Sequence, residues 1–515
     1  MRRQSWAWLA GSAAVFALLL VPYLVARQAQ PSGFLFSGFL VNPIDGFSYL
    51  AKMRQGSEGS WLFHLPYAER PGPGALLFLY HLFLGHLQRS IGVSPLTIYH
   101  ASRLFGTAAM FAAAYVFYRS TVKSAALGWA MALTLLGSGL GWIGLALDRM
   151  PIDLWVPESI PFFSAFANAH FPLAAAAMLT AMSAFAARDA QRRLRLGAAA
   201  AAGLVLGIVQ PTAVVSVGAV ALIWVVWMRL RPPAGATPDR DRSMVGLLFA
   251  ITSLPLLAYD MWITRTHAAL AAWNAQNLTP TPPLVDVALG FGVVLILAVV
   301  SCAVRRPWST GGGRLLVMWL VVGVALLFVP IGLQRRMLLG IFFPMAALAA
   351  ITLAHLAEGR PASRWLAYIL FVLCLPTNFL VITATMGGAL TQQPDVVLSE
   401  SEKSAYTWVA DRVPPGSLIL AGEVTGNRLP AFAEVRVIYG HPFETPDASE
   451  ALAWVESVYA SEASPQAVLD EMRGRSVDYV YVGPRERAAG PLTWLSALQL
   501  DHEEGDVAIY RVPAR

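Results

Sequence analysis

An aspartate stands in the stretch Val41-Asn42-Pro43-Ile44-Asp45-Gly46-Phe47-Ser48-Tyr49, shortly beyond the apolar run 6–26. A carboxylate held near a membrane surface can act as general base towards a hydroxyl acceptor. The plainer reading of Asp45 is an N-cap for the helix that follows. Tyr49, one turn on, is a candidate substrate contact. Gln334-Arg335-Arg336 lies between the apolar runs 315–333 and 337–356. Two planar guanidinium forks there suit bidentate phosphate recognition; the alternative is a helix C-terminal cap touching lipid headgroups. Arg103 falls about two turns into the apolar run 97–117, where an arginine faces a cavity or partner, or else snorkels outward. It is the next candidate for a phosphate.

A third group spans Asp148 to His170 and contains Asp153, Glu158 and Asn168. Asp153 and Glu158 form a second acidic motif that could seat a divalent cation, magnesium or manganese, although no H-E-x-x-H spacing occurs. His170, before Phe171-Pro172, is a helix cap or a substrate contact. Asp260 sits among Tyr259, Trp262 and Trp273, aromatics expected as an interfacial belt, and is a further candidate substrate contact.

The elements that must position these groups are membrane helices. Of the 515 residues 56% are hydrophobic and 13% charged, with mean hydropathy +0.55. A soluble chain carries about a quarter charged residues, so a water-soluble globular enzyme is excluded. Residues 1–394 hold 27 basic and 12 acidic residues, whereas 395–515 hold 10 and 19. The basic excess therefore belongs to loops at a membrane surface, and nucleic acid is not an expected partner. Cys302 and Cys374 both lie in apolar runs, so no disulfide is expected.

At roughly 20 apolar residues per span, the expected spans are 6–26, 97–117, 125–147, 163–187, 196–210, 212–229, 244–264, 284–303, 315–333, 337–356 and 365–386. That makes about eleven. The first follows Arg2 and Arg3 but precedes no small-x-small cleavage site, so it is read as a retained span. Seventeen basic residues, from Arg2 and Arg3 through Arg119, Lys123, Arg188 and Arg231 to Arg360 and Arg364, mark one face; nine mark the other. The richer face is cytoplasmic by the positive-inside rule. The amino terminus is then inside, and the loop 27–96 and the tail are outside. That loop carries two amphipathic stretches, 45–55 and 74–90, which read as helices lying on the outer leaflet.

The tail, 395–515, has the pattern of a soluble α/β domain. SEKSAYTWVADRV, ASEALAWVESVYA and SPQAVLDEMRG have helical spacing, and SLILAG, EVRVIYG, VDYVYVG and DVAIYRV read as strands. Residues 1–394 form the membrane domain, and Gln210-Pro211 is the one strong break within it.

Taken together, these features resemble the GT-C superfamily of polytopic glycosyltransferases, which use polyprenyl-phosphate-linked sugars. The group includes the protein O-mannosyltransferases, the lipid A aminoarabinose transferases and oligosaccharyltransferase. The resemblance rests on the many spans, on Asp45 in a large first external loop, and on the external tail. Two tail strings are also similar to those of prokaryotic relatives: Gly440-His441-Pro442-Phe443-Glu444-Thr445 and Tyr479-Val480-Tyr481-Val482-Gly483-Pro484. It implies an inverting transfer in the plasma membrane, with Asp45 as base and Arg335 or Arg336 on the donor phosphate. The acceptor would be a glycan, a lipid or a protein. Gly46 follows Asp45 where O-mannosyltransferases carry an Asp-Glu pair, which speaks against protein mannosylation.

The chemistry agrees with that expectation. A phosphate leaving group is already an anion and needs arginine rather than an acid. The acceptor hydroxyl needs a nearby carboxylate. Two other classes compete: a carrier or flippase of a lipid-linked sugar, which would need discontinuous helices around its site, and a non-catalytic membrane scaffold. The topology is testable by itself. Single cysteines near residues 60 and 450 should both react with a membrane-impermeant thiol reagent from the non-cytoplasmic side. Labelling from opposite sides would refute the assigned orientation.

Overall fold

The computed structural model describes residues 2–186, 191–230 and 240–514. Arg188 and Arg231, counted above on the basic face, lie outside the described residues. Six of the described helical stretches are long and apolar enough to cross a membrane: Gly11–Gln28, Pro211–Leu230, Arg242–Thr266, Leu284–Arg305, Gln334–Glu358 and Pro361–Leu390. Three shorter apolar helices, Ser124–Leu136, His170–Ala186 and Gly311–Leu326, accompany them. The chain is a polytopic α-helical membrane protein with a small sheet domain near its C-terminus.

Two compact units divide the chain. One comprises Met1–Pro22, His100–Asp260 and Thr279–Thr385; the other comprises Tyr23–Tyr99, Met261–Leu278 and Met386–Arg515. A boundary at 394 separates membrane body from soluble tail by composition. Compactness groups the loop 27–96 with the tail instead.

In the first unit the helix Phe342–Glu358 is apolar nearly all round, and it is almost wholly buried. Its alanines, from Ala346 to Ala354, let Ser124–Leu136, Leu284–Val300, Gly311–Leu326 and Pro361–Val372 approach closely. Several expected spans are interrupted, two of them at a single crossing. The run 125–147 breaks after Leu136 and resumes as Gly141–Ala146, and Leu284–Val300 kinks at Gly292, whose φ is 46°. The breaks meet: Leu140 N donates to the Leu289 carbonyl at 2.8 Å. A Cβ on Gly139 would lie 2.1 Å from the Gly290 carbonyl oxygen, so only glycine fits this crossing. Gln210-Pro211 is thus one of several breaks. The others were invisible in the sequence because glycine and leucine suit an unbroken apolar run equally well.

In the second unit a five-stranded sheet runs in the order Arg436–Val437, Leu418–Leu420, Tyr479–Val482, Val507–Arg511, Gln499–Glu504. The first three strands are parallel, and the last two are added antiparallel. The first loop is woven into this domain. Phe34–Phe36 pairs antiparallel with Val397–Ser399, and Val437 N donates to the Pro66 carbonyl at 2.9 Å.

The helix Pro43–Ser57 packs against Leu79–Ile91 and Glu423–Phe432. Nine of its residues are buried, Phe47, Ser48, Lys52 and Met53 among them, so it is a core helix of this unit and not one laid on a leaflet. Two glycines allow this. A Cβ on Gly56 would meet the Leu82 carbonyl oxygen at 2.1 Å, and one on Gly85 would meet the Met53 carbonyl oxygen at 1.9 Å. Backbone lies against backbone. Gly85→Ala should therefore destabilise this unit by about 1–3 kcal/mol in thermal unfolding, whereas Gly474→Ala, which opens onto free space, should be neutral or better. Equal stability of the two variants would contradict the close crossing.

Candidate active site

The face of Pro43–Ser57 that carries Asp45, Ser48, Tyr49 and Lys52 follows from helical spacing, since residues three, four and seven apart share one side. The helix's N-cap is Asn42, which makes no side-chain cap hydrogen bond; Asp45 lies within the first turn. Its charge there complements the positive end of the helix dipole. The capping role expected for Asp45 therefore does not account for its carboxylate. Asp45 Oδ1 lies 3.0 Å from His441 Nε2. The Asp45 side chain is 39% exposed and the His441 side chain 3%. A reachable carboxylate is held by a buried imidazole.

His441 belongs to the tail string Gly440-His441-Pro442-Phe443-Glu444-Thr445. Its Nδ1 accepts from the backbone N–H groups of Phe443 at 3.1 Å and Glu444 at 3.2 Å. Both backbone groups are obligatory donors, so Nδ1 is the acceptor nitrogen, and the ring proton sits on Nε2, facing Asp45. Thr445 Oγ1 in turn accepts from Gly440 N and His441 N at 3.2 and 3.1 Å. Gly440 packs on Tyr67, where a Cβ would come within 2.3 Å of the ring. Gln276 completes the loop's ties, donating to the Thr445 carbonyl and accepting from Ala448 N.

Glu444 closes the other end. Lys52 Nζ lies 2.7 and 2.9 Å from its two oxygens, and Ser48 Oγ donates to it at 2.7 Å. The Lys52 ammonium also sits 4.3 Å from the Phe78 ring centroid, within cation–π range. Burial pushes the Glu444 carboxyl up, but Lys52, His441 and the hydrogen bonds from Lys52 and Ser48 outweigh it and leave it below its usual value. Tyr49 stacks on His81 at 4.6 Å between ring centroids and on Tyr99 at 6.1 Å. It is thus part of an aromatic stack as well as a neighbour of the helix face that bears Asp45.

The remaining candidates belong to the first unit. Arg335 and Arg336 lie in the short 3-10 turn Gln334–Leu338 and are partly buried. The Arg335 guanidinium lies 5.2 Å from the Trp155 ring centroid, which joins the arginine turn to the segment 148–170. The Nε atoms of both arginines and Gln334 Oε1 are buried without a hydrogen-bond partner among the described residues. Donor capacity is left over at this turn. Arg103 is fully buried, and its Nη1 donates to the carbonyls of Ala165 and Phe166 at 2.8 and 3.1 Å. That places it on the C-terminal end of Pro161–Ala167, in a partner contact and not snorkelling to headgroups.

Asp153 is fully buried, and its Oδ2 accepts from Ser138 Oγ, Gly139 N and Gly141 N at 3.0, 3.1 and 3.1 Å. Burial pushes its carboxyl up to about 6 against those donors. Glu158 is buried beside Met110, Leu339 and Phe343. His170 opens the helix His170–Ala186 with its ring 4.1 Å from that of Phe171. Asp260 lies on the helix Arg240–Thr266. Among the described residues no group of three or more His, Cys, Asp or Glu side chains could hold a metal ion. Asp153 Oδ2 is spent on N–H and O–H donors, while its Oδ1 is buried without a hydrogen-bond partner among the described residues.

No protein-family model matches the chain, and no curated protein resembles it in sequence. Solved structures do match. The oligosaccharyltransferase of Archaeoglobus fulgidus, crystallised with zinc and sulfate, aligns at TM-score 0.55 and 12% identity over 96% of this chain and 73% of its own. The same enzyme, AglB, in complex with an inhibitory peptide and a dolichol-phosphate gives 0.53 and 12%, over 91% and 69%. ArnT from Cupriavidus metallidurans bound to undecaprenyl phosphate gives 0.53 and 10%, over 98% of each chain. The chain has the GT-C fold. On that fold, the Asp45 position, which sequence reasoning singled out, acquires a partner it did not foresee. His441 was visible only as part of a tail string, and nothing local ties it to a residue 396 positions away.

The buried Lys52–Glu444 pair makes a testable demand of this site. Glu444→Gln leaves Lys52 without its counter-charge and should cost about 3–5 kcal/mol. Because the folded Glu444 carboxyl lies below its usual value of 4.5, its contribution is complete above that pH and is lost as pH falls through the lower folded value. Thermal unfolding of parent and Glu444→Gln should therefore converge in acid. A constant gap down to the acid limit would show that the pair is not what stabilises the loop.

Proposed function

We propose that this chain is a membrane glycosyltransferase that moves a sugar from a polyprenyl-phosphate donor to an acceptor hydroxyl on the extracytoplasmic face, with inversion. The observation that carries the reading is the reachable Asp45 carboxylate, set in a buried polar network on a chain with the GT-C fold. The ArnT neighbour was solved with undecaprenyl phosphate and AglB with a dolichol-phosphate, which supports a lipid-phosphate donor.

In this reading the acceptor O–H bond breaks and its proton passes to the Asp45 carboxylate. The acceptor oxygen bonds to the anomeric carbon from one face as the carbon–oxygen bond to phosphate breaks on the other. The lipid phosphate leaves as an anion, so no acid is required. Its charge is met by the unsatisfied guanidinium donors of Arg335 and Arg336. Arg103, engaged with helix carbonyls, holds the Pro161–Ala167 end in place. Asp153 anchors the Ser138–Gly141 turn, and no step is assigned to a cation.

The test is release of undecaprenyl phosphate by the reconstituted chain from a panel of synthetic undecaprenyl-phosphate monosaccharides. Asp45→Asn keeps size and should lower turnover by about 10²–10⁴ with the protein folded and inserted. Arg335→Lys and Arg336→Lys keep charge but lose the fork, and should raise the donor KM. Near-normal turnover in Asp45→Asn would remove Asp45 from the mechanism. Parent-like donor affinity in both lysine variants would make the arginines interfacial anchors.

A further inference from the structure

We propose that His441 is a positioning residue for Asp45, supplied by the tail, which orients the carboxylate and keeps it anionic for proton abstraction. This rests on the reading of Asp45 as general base. Four observations carry it. The Nε2–Oδ1 separation of 3.0 Å is that of a charge-assisted hydrogen bond. Both Nδ1 contacts come from backbone N–H groups, so the tautomer with its proton towards Asp45 is set by the main chain of Phe443 and Glu444. The loop cannot drift, because Thr445, Gln276 and the Lys52–Glu444 pair tie both of its ends within the same unit. Finally, the imidazole is buried while the carboxylate is reachable, so the acceptor meets Asp45 and not His441.

This arrangement differs from a relay. A histidine that carried the abstracted proton away would need an outlet at Nδ1, and that nitrogen is turned inward onto two N–H donors. The proton from the acceptor therefore rests on Asp45 and leaves through its exposed side, and His441 keeps its own. The tail thus supplies the partner that aims the base. On the same helix face Lys52 is neutralised by Glu444, and Asp45, Glu444 and Arg54 all act on the nearby Tyr67 hydroxyl.

The experiment reads the Asp45 carboxyl directly in the full-length reconstituted chain. Infrared difference spectra of parent against Asp45→Asn isolate its band, and the pH midpoint of that band is followed in His441 variants. Removing a hydrogen bond to the charged form should raise the midpoint by about one unit in His441→Ala. His441→Gln, whose amide N–H reaches the Nε2 position, should restore it; His441→Asn, which reaches only the Nδ1 position, should not. Release of undecaprenyl phosphate should fall by about 10²-fold in kcat for His441→Ala, with KM little changed, and recover in the Gln variant. An Asn variant that behaves as the Gln variant does, or a midpoint equal to the parent's in His441→Ala, overturns the role of His441 alone. Should His441→Ala fail to fold, the Gln and Asn pair decides. Retained turnover in Asp45→Asn overturns the base reading, and the positioning role with it.

Discussion

A lysine ammonium with almost no access to water survives only beside a carboxylate, and Lys52 has Glu444. That one requirement organises the second unit. Lys52 sits two turns after Asp45 on the same helix face, and Glu444 sits three residues after His441. Joining the later pair sets the register of the earlier one, so Asp45 and His441 meet because Lys52 and Glu444 must. The helix reaches this depth because Gly56 and Gly85 remove the side chains that would hold Pro43–Ser57 and Leu79–Ile91 apart. The small residues and the buried charges are thus two halves of one device. Glycines bring the helix in, and the ion pair fixes its rotation.

The first unit obeys a different constraint. In a bilayer each backbone polar group must find a partner within the protein. The broken runs at 137–140 and Gly292 create such groups, and specific side chains absorb them. Asp153 takes the N–H groups of Gly139 and Gly141. Asn378 Nδ2 donates to the carbonyls of Leu136 and Gly137, and Arg103 to those of Ala165 and Phe166. These polar residues inside an apolar body are the fasteners of its breaks. At the arginine turn the Nε atoms of Arg335 and Arg336 are buried with nothing to donate to among the described residues.

How much of this was legible follows from the range of each interaction. The apolar runs, the two first-loop helices and most tail elements could be read from periodicity, because spacing along the chain sets which face is buried. The strand Gln499–Glu504 escaped because it is an edge strand with little buried surface on either face. The helix Glu423–Phe432 escaped because Pro430 stands inside it and its face is polar. Asp45 could be found by type and location, but its partner could not. A contact across 396 positions leaves no periodic trace in a single sequence, and His441 looks like any histidine in a turn. The arginine turn was found for the opposite reason: two charges in so short a gap between apolar runs need no long-range information to stand out.

The same accounting of backbone groups bears on carrier versus enzyme. A carrier built from discontinuous helices offers their exposed ends to its substrate and must be able to reopen them. Here the ends at 137–140 are already taken, on the N–H side by Asp153 and on the carbonyl side by Asn378. The two breaks also lock together where Leu140 N meets the Leu289 carbonyl, at a crossing so close that Gly139 has no room for a Cβ. Opening them would strand several buried polar groups at once, each costing about 1–3 kcal/mol. Interruptions sealed in this way serve as rigid scaffolding. A scaffold closed in this way fits the glycosyltransferase reading better than a carrier whose helix ends must reopen around a substrate.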